Sequence, residues 1–277
     1  MDICDPSGGS DRLPCHDPCS GGGQPAAGEA GQGDQLTGFV HSWETMGTQD
    51  GPGTRFVLFL TGCALRCRYC HNPETWHMKN GEPMTVAAVA DEIAKYRRVL
   101  SIMHGGVTVS GGEPLVQSAF TAEILRHCKE MGLHTALDTS GYMGDWATDA
   151  MLDDVDLVLL DIKSWLPDTY RSVTGHDIEP TLRFARRLVD RRIPIWVRFV
   201  LVPGLTDDPA NVDGLAAFVA GLGDGVQRVD ILPFHQMGKA KWHDLHRTYS
   251  LEDARPPTEA EIQSVRDIFA RHGVTAL

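Results

Sequence analysis

From residue 55 onward, short apolar runs rich in Val, Ile, Leu and Phe alternate with longer stretches whose apolar positions recur every three to four residues. The first pattern reads as strands, the second as amphipathic helices. Strands are expected at 56–61, 107–110, 134–138, 157–161, 195–202 and 228–232, and helices at 86–100, 118–131, 145–153, 180–191, 209–221 and 258–272. The last helix is the best marked: Thr258 and Glu261 make a capping-box pair, Ile262, Val265 and Phe269 share one face, and Gly273 stops it. The strands are unbroken apolar runs, as expected where helices cover a sheet. Six strand–helix units in succession predict an α/β fold with a parallel sheet and right-handed crossovers. An open or partial barrel and a doubly wound sheet both satisfy the pattern.

The residues at the carboxyl end of each strand carry the chemistry. The first strand runs into three cysteines, the second into Ser110-Gly111-Gly112-Glu113-Pro114, and the third ends in Asp138-Thr139-Ser140-Gly141. The fourth ends in Asp161-Ile162-Lys163, the fifth holds Arg198 before Val202-Pro203-Gly204, and the sixth ends in Leu232-Pro233-Phe234-His235. Ligands bind at the carboxyl edge of parallel sheets, so six polar endings in register predict one shared site.

Composition narrows the class. The 277 residues are 42% hydrophobic and 22% charged, which supports a buried core and excludes a wholly disordered chain. No run of 18 apolar residues is present, so no transmembrane helix is expected. The start lacks the basic and apolar blocks of a signal peptide, and a cytoplasmic location is expected. A net charge of −12 argues against a general nucleic-acid binder. Residues 1–35 hold Arg12 against six acidic residues, are rich in Gly and Pro, and read as a disordered acidic tail. The folded domain is expected to span 36–277.

Seven cysteines without a secretory signal do not suggest a disulfide framework. Cys4, Cys15 and Cys19 fall in the tail, and Cys128 sits in a helical pattern as a small core residue. Cys63, Cys67 and Cys70 crowd into eight residues after the first strand. Thiolates are soft ligands that select iron–sulfur clusters, zinc or copper(I). Structural zinc wants four ligands, usually as two separated pairs, and the chain has no second pair downstream. A zinc site completed by His71 is the alternative to a 4Fe-4S cluster with one iron open to a small molecule.

The spacing Cys63-x3-Cys67-x-Tyr69-Cys70, with Gly-Gly-Glu-Pro after the second strand, resembles the radical S-adenosylmethionine (SAM) enzymes. The resemblance implies a partial (β/α)6 barrel, a 4Fe-4S cluster on Cys63, Cys67 and Cys70, and SAM chelated at the open iron. The stretch from Gly47 through Asp50-Gly-Pro-Gly53 to Arg55, the run Tyr69-Cys-His71-Asn-Pro73, and Leu232 to His235 with Gly238-Lys239 and Lys241-Trp242 narrow this further. They are similar to the pyruvate formate-lyase activating family, from about Phe39 to the end.

That resemblance implies roles for individual residues. Tyr69 and His71 would border the adenosyl part of SAM, and Gly112 would meet its methionine amino group through the backbone. Asp161 and Lys163 would line the methionine and ribose side, with Lys163 the partner of a carboxylate. Arg198 and His235 would close the far side, and Asp138 with Thr139 would sit close by, with a monovalent cation as candidate occupant. Asp50 would meet the substrate loop. Without the resemblance, Asp161 reads equally as a strand-end cap, Asp138 and Asp50 as turn residues, and His235 as a surface histidine. The implied activity is installation of a glycyl radical on pyruvate formate-lyase, with flavodoxin or ferredoxin as electron donor and a monomeric protein. The rivals are activation of another glycyl radical enzyme, whose activases often carry extra cysteines between Cys70 and Ser110, where this chain has none, and a non-catalytic zinc or electron-transfer protein.

Overall fold

A computed structural model of the chain describes residues 33–277. The cysteines at 4, 15 and 19 lie outside the described residues, as does the expected tail except for Gly33–Gln35. Those three residues form a 3-10 turn, and Asp34 Oδ1 lies 2.9 Å from His127 Nε2.

One eight-stranded sheet organises the chain. Its strands are β1 (Thr37–Gly47), β2 (Arg55–Leu60), β3 (Glu82–Thr85), β4 (Gly106–Gly111), β5 (His134–Thr139), β6 (Leu157–Asp161), β7 (Ile195–Leu201) and β8 (Val226–Pro233). The spatial order is β3-β1-β2-β4-β5-β6-β7-β8. The six strands from β2 to β8, leaving out β3, are parallel and run in chain order without a reversal. A doubly wound sheet needs a reversal point, so the sequential order selects the open, partial barrel. Right-handed crossovers then place the helices on one face and leave the other face as a concave interior.

The helices are α1 (Val86–Ala94), α2 (Arg97–Ile102), α3 (Ser118–Glu130), α4 (Asp149–Asp153), α5 (Pro167–Thr174), α6 (Glu179–Asp190), α7 (Pro209–Gly221), α8 (Lys239–Asp244) and α9 (Glu259–Arg271). The capping box of α9 forms as expected, Glu261 N donating to Thr258 Oγ1 and Thr258 N to Glu261 Oε2. The expected helix at 86–100 is instead two, broken at Lys95–Tyr96, where the Tyr96 ring packs on Phe56 at 5.6 Å. The expected helix at 145–153 begins only after Thr148, whose hydroxyl accepts from Met151 N. The strands β1 and β3 and the helices α5 and α8 were not expected.

Side chains alternate between the two faces of each strand. On β7, Ile195, Val197, Phe199 and Leu201 are buried toward the helices, while Trp196, Arg198 and Val200 face the interior. Register carries this alternation across the sheet. Asp161 pairs with Arg198, and Arg198 with Asp230. The outer layer is the main core, where Phe56, Leu58, Val109, Leu160 and Phe199 pack with Ile124, Leu188, Leu215 and Phe269 of the helices. Low in the interior, Ala136, Leu157 and Leu159 pack with Trp196. Apolar residues thus seal the interior below, and polar side chains gather above them.

Candidate active site

The cysteines come after β2 on a loop that the rest of the chain grips. Gly62 N donates to Thr75 O at 2.7 Å and Cys63 N to Trp76 O at 3.1 Å. At the end of α5, the carbonyls of Thr174 and Val173 accept from Arg66 N and Arg68 N at 2.9 and 3.0 Å. These carbonyls belong to the last turn of a helix, which leaves them without intrahelical donors. His176 Nε2 lies 3.1 Å from Ala64 O and therefore donates to it, so Nδ1 is the acceptor for the Tyr142 hydroxyl at 3.0 Å. Trp242 Nε1 donates to Cys70 O at 2.9 Å.

The three thiols themselves line the interior cavity. Burial pushes the Cys63 thiol well above its ordinary value and Cys67 up to about 12, although Lys163 pulls Cys67 back. Burial likewise raises Cys70. Bare, these groups stay protonated at neutral pH. A bound metal would ionise them, since metal binding releases the thiol protons. Donors already face the sulfurs: the Leu65 backbone at Cys63, and the Asn72 backbone with the Trp76 side chain at Cys70. Hydrogen bonds of this kind suit thiolate ligands of an iron–sulfur centre. Among the described residues no group of three or more His, Cys, Asp or Glu side chains is arranged to hold a metal ion. Three thiolates on one loop suit a cluster that keeps one iron open, whereas structural zinc closes its shell with four ligands.

Opposite the cysteines stands a charged wall made by consecutive strands. Arg198 of β7 pairs with Asp138 of β5 and, at 3.3 Å, with Asp161 of β6. Lys163 Nζ lies 2.9 Å from Asp161 Oδ2, and Ser110 Oγ donates to Asp138 Oδ2 at 2.6 Å. Burial alone would raise the Asp161 carboxyl, but Arg198 and Lys163 together hold it below the ordinary carboxylate range. Burial would also strip the proton from Lys163, yet Asp161, Tyr69 and Cys67 hold that ammonium well above its ordinary value. Asp161, Lys163 and Arg198 thus form an ionised, paired array, to which Arg198 joins Asp138. Both Asp138 oxygens are engaged by Arg198 and Ser110, and the Thr139 hydroxyl donates to Glu113 at 2.6 Å.

The loop between β1 and β2 supplies Asp50. Thr108 Oγ1 donates to Asp50 O at 2.6 Å and accepts from Arg55 Nε at 2.9 Å, with Arg55 wholly buried. Burial first, and then Asp138, raise the Asp50 carboxyl above its usual value.

One cavity of about 740 Å³ is lined by every residue the sequence nominated: Asp50, Cys63, Cys67, Tyr69, Cys70, His71, Gly112, Asp138, Thr139, Asp161, Lys163, Arg198 and His235. His71 and His235 meet edge to face, with ring centroids 4.6 Å apart. Tyr69 Oη is buried without a hydrogen-bond partner among the described residues, so a polar ligand group in the cavity would satisfy it. At Gly112 an added Cβ would lie 2.4 Å from Gly62 O, so no larger residue fits between the two loops. Sequence reasoning passed over Glu44, Gln49 and Met237 in the same lining. It also gave no role to Glu113, a buried carboxylate that accepts from Thr139 Oγ1, Ser140 N and Leu115 N and so ties the end of β5 to the loop after β4.

Comparison with known proteins agrees with this geometry. The family described as the radical SAM superfamily matches residues 57–213. The chain is 38% identical over 240 residues to pyruvate formate-lyase 1-activating enzyme of Escherichia coli K12, covering 86% of this chain and 97% of that one. It is 44% identical over 237 residues to the pyruvate formate-lyase-activating enzyme of Staphylococcus epidermidis, covering 82% and 93%. Among solved structures, a domain of pyruvate-formate lyase-activating enzyme from Bacteroides vulgatus aligns with a TM-score of 0.51 at 26% identity, over 62% of this chain and 98% of that one. A radical SAM methyltransferase from Sphaerobacter thermophilus, at 19% identity and a TM-score of 0.58, shares the fold. The chain belongs to the radical SAM superfamily and, within it, to the pyruvate formate-lyase activating enzymes.

Proposed function

We propose that this protein activates pyruvate formate-lyase by turning a glycine of that enzyme into a glycyl radical, with a 4Fe-4S cluster and SAM as cofactors. The observation that carries the reading is the cavity in which three cysteine thiols share the lining with the paired wall of Asp138, Arg198, Asp161 and Lys163. When bound, the cluster and SAM supply a 5′-deoxyadenosyl radical that takes a hydrogen atom from the glycine.

The chain's own residues bind and orient. Cys63, Cys67 and Cys70 would hold three irons, on a loop whose carbonyls and amides are already fixed by α5, His176 and Trp242. The amide of Gly112 is spent on Leu60 O at 2.9 Å, so its carbonyl is what it offers an ammonium group. Lys163, kept protonated by Asp161, faces a carboxylate or the ribose edge. Tyr69, His71 and His235 border the remaining space, where the Tyr69 hydroxyl gains a partner. Asp50 accepts from the backbone of the incoming glycine loop and so holds the target carbon within reach. A flavodoxin or ferredoxin donor, a monomeric state and a cytoplasmic location belong to the same proposal. Among the described residues no helix is long and apolar enough to cross a membrane.

Anaerobic reconstitution with iron and sulfide tests the reading. Expected are about four irons and four sulfides per chain, and 5′-deoxyadenosine after addition of SAM and dithionite. One zinc per chain, with no SAM cleavage, would overturn it.

A further inference from the structure

The cysteine loop has an outer face as well as one toward the cavity. Residues 63–80 and 238–253 carry Arg66, Arg68, Lys79, Lys239, Lys241 and Arg247 against Glu74, Asp244, Glu252 and Asp253, a local balance of +2 in a chain whose total is −12, with Lys239 paired to Glu252 and Lys241 to Glu74. The two segments form one surface. Trp76 and Trp242 meet edge to face at 5.0 Å, Arg68 Nε donates to Ser250 Oγ at 3.0 Å, and Lys241 Nζ donates to Asn72 Oδ1 at 2.6 Å.

Three guanidinium groups of this collar meet no carboxylate among the described residues. Arg66 donates to the carbonyls of Cys63 and Leu65, Arg68 to the hydroxyls of Ser250 and Ser172, and Arg247 to the His77 imidazole. Elsewhere most arginines pair with acids, as Arg126, Arg171, Arg187 and Arg191 do. The collar thus sets three guanidinium groups without a carboxylate partner beside the cysteines. Beneath it lies Trp76, 4% exposed, with Arg66 and Arg247 at 5.1 and 5.2 Å from its ring. Trp76 packs in the same apolar cluster as Cys63, Cys67 and Cys70. A continuous packed path thus joins the basic surface to a cluster ligand.

We infer that this collar is the docking surface of an acidic one-electron carrier protein, held chiefly by Arg66, Arg68 and Arg247, with Trp76 as the medium between carrier and Cys70. The inference rests on the function proposed above, which consumes one electron per SAM cleaved. The cavity face of the loop is reserved for SAM, so the carrier must approach from outside. An acidic carrier is repelled by the overall charge of −12 and is attracted to the three arginines that stand beside the cysteines without carboxylate partners. In the transfer the carrier loses one electron and the cluster gains it. No bond forms or breaks, and Trp76 itself is neither oxidised nor reduced.

The test uses the cluster-loaded protein and, as probe, a flavodoxin of low isoelectric point. Its affinity is read directly by flavin fluorescence anisotropy, and the rate of cluster reduction by its hydroquinone is read by stopped-flow bleaching. Affinity and rate for the unaltered protein should both fall as sodium chloride is raised, and the Arg68→Gln/Arg247→Gln variant should bind about tenfold or more weakly at low salt. Dithionite-driven 5′-deoxyadenosine formation by that variant should be unchanged, which separates this claim from the function itself. Salt-independent binding by the unaltered protein would overturn the inference, and that arm needs no variant to fold. So would unchanged flavodoxin affinity in the variant, or a loss of affinity for pyruvate formate-lyase in place of flavodoxin.

Discussion

Replacing Arg198 by Met removes the cation that sits between two inward carboxylates. Arg198 pairs with both Asp138 and Asp161, and the three side chains are only 13%, 10% and 16% exposed. Asp161 keeps Lys163 at 2.9 Å, whereas Asp138 keeps only the Ser110 hydroxyl. Breaking a buried pair on one side costs about 3–5 kcal/mol, because the stranded charge stays desolvated. Water in the cavity relieves part of that cost, so Arg198→Met should lose about 3 kcal/mol, a large share of a typical total of about 5–15 kcal/mol. Urea unfolding followed by tryptophan fluorescence gives the number. Adding Asp138→Asn removes the stranded charge and should return about 1–2 kcal/mol. A single variant that loses less than about 0.5 kcal/mol, or a double variant less stable than the single, would refute the view that these groups form one compensated array.

Asp50→Ala should retain the cluster and SAM cleavage yet lose most glycyl radical yield, and Thr108→Val, which cuts the hydroxyl bridge from Arg55 to Asp50 O, should lose part of it. Parallel losses of cleavage and radical yield in both would assign Asp50 to SAM or to the fold. Burial, then Arg55 and Lys129, hold His134 below its ordinary imidazole value against the opposing pull of Asp156. The unfolded chain therefore takes up the proton first, and stability falls as pH drops below about 6.5. His134→Gln should flatten part of the slope of melting temperature between about pH 7 and pH 5, and an unaltered slope would count against this role for His134. Glu113→Gln turns one carboxylate oxygen into a donor facing other donors, and should cost about 1–3 kcal/mol in urea unfolding.

The interior strands were legible because each is covered by helices on one face and enclosed on the other, which keeps its sequence apolar throughout. The strands β1 and β3 were not: β3 is the edge strand, and β1 pairs with it only through Thr37–Val40, so the part of β1 beyond has an open side that tolerates His41, Ser42 and Glu44 and gives no clean alternation. The cysteines and the strand-end polar residues are local signals, and all of them reached the cavity. His176 is 112 residues from the carbonyl it clamps, and no local pattern announces such a contact. The start and stop of α5 were in fact written in Pro167 and in Gly175, whose φ is +83°, but eight mostly polar residues carry too little periodicity to declare a helix. Strand order was open because both candidate architectures share the same alternation of elements. Only tertiary packing, in which the parallel strands keep to chain order, separates them.

The central claim is that Cys63, Cys67 and Cys70 hold the cluster that places a radical on a partner's glycine. Electron paramagnetic resonance of the reconstituted protein mixed anaerobically with pyruvate formate-lyase, SAM and a reductant tests it most directly. The expected spectrum is the doublet of a glycyl radical on the partner, absent when any one of the three cysteines is replaced by Ala and retained in Cys128→Ala, because Cys128 is buried in the helix-side core away from the cavity. A full glycyl signal from Cys67→Ala, or none from the intact protein carrying a complete cluster, would contradict the account.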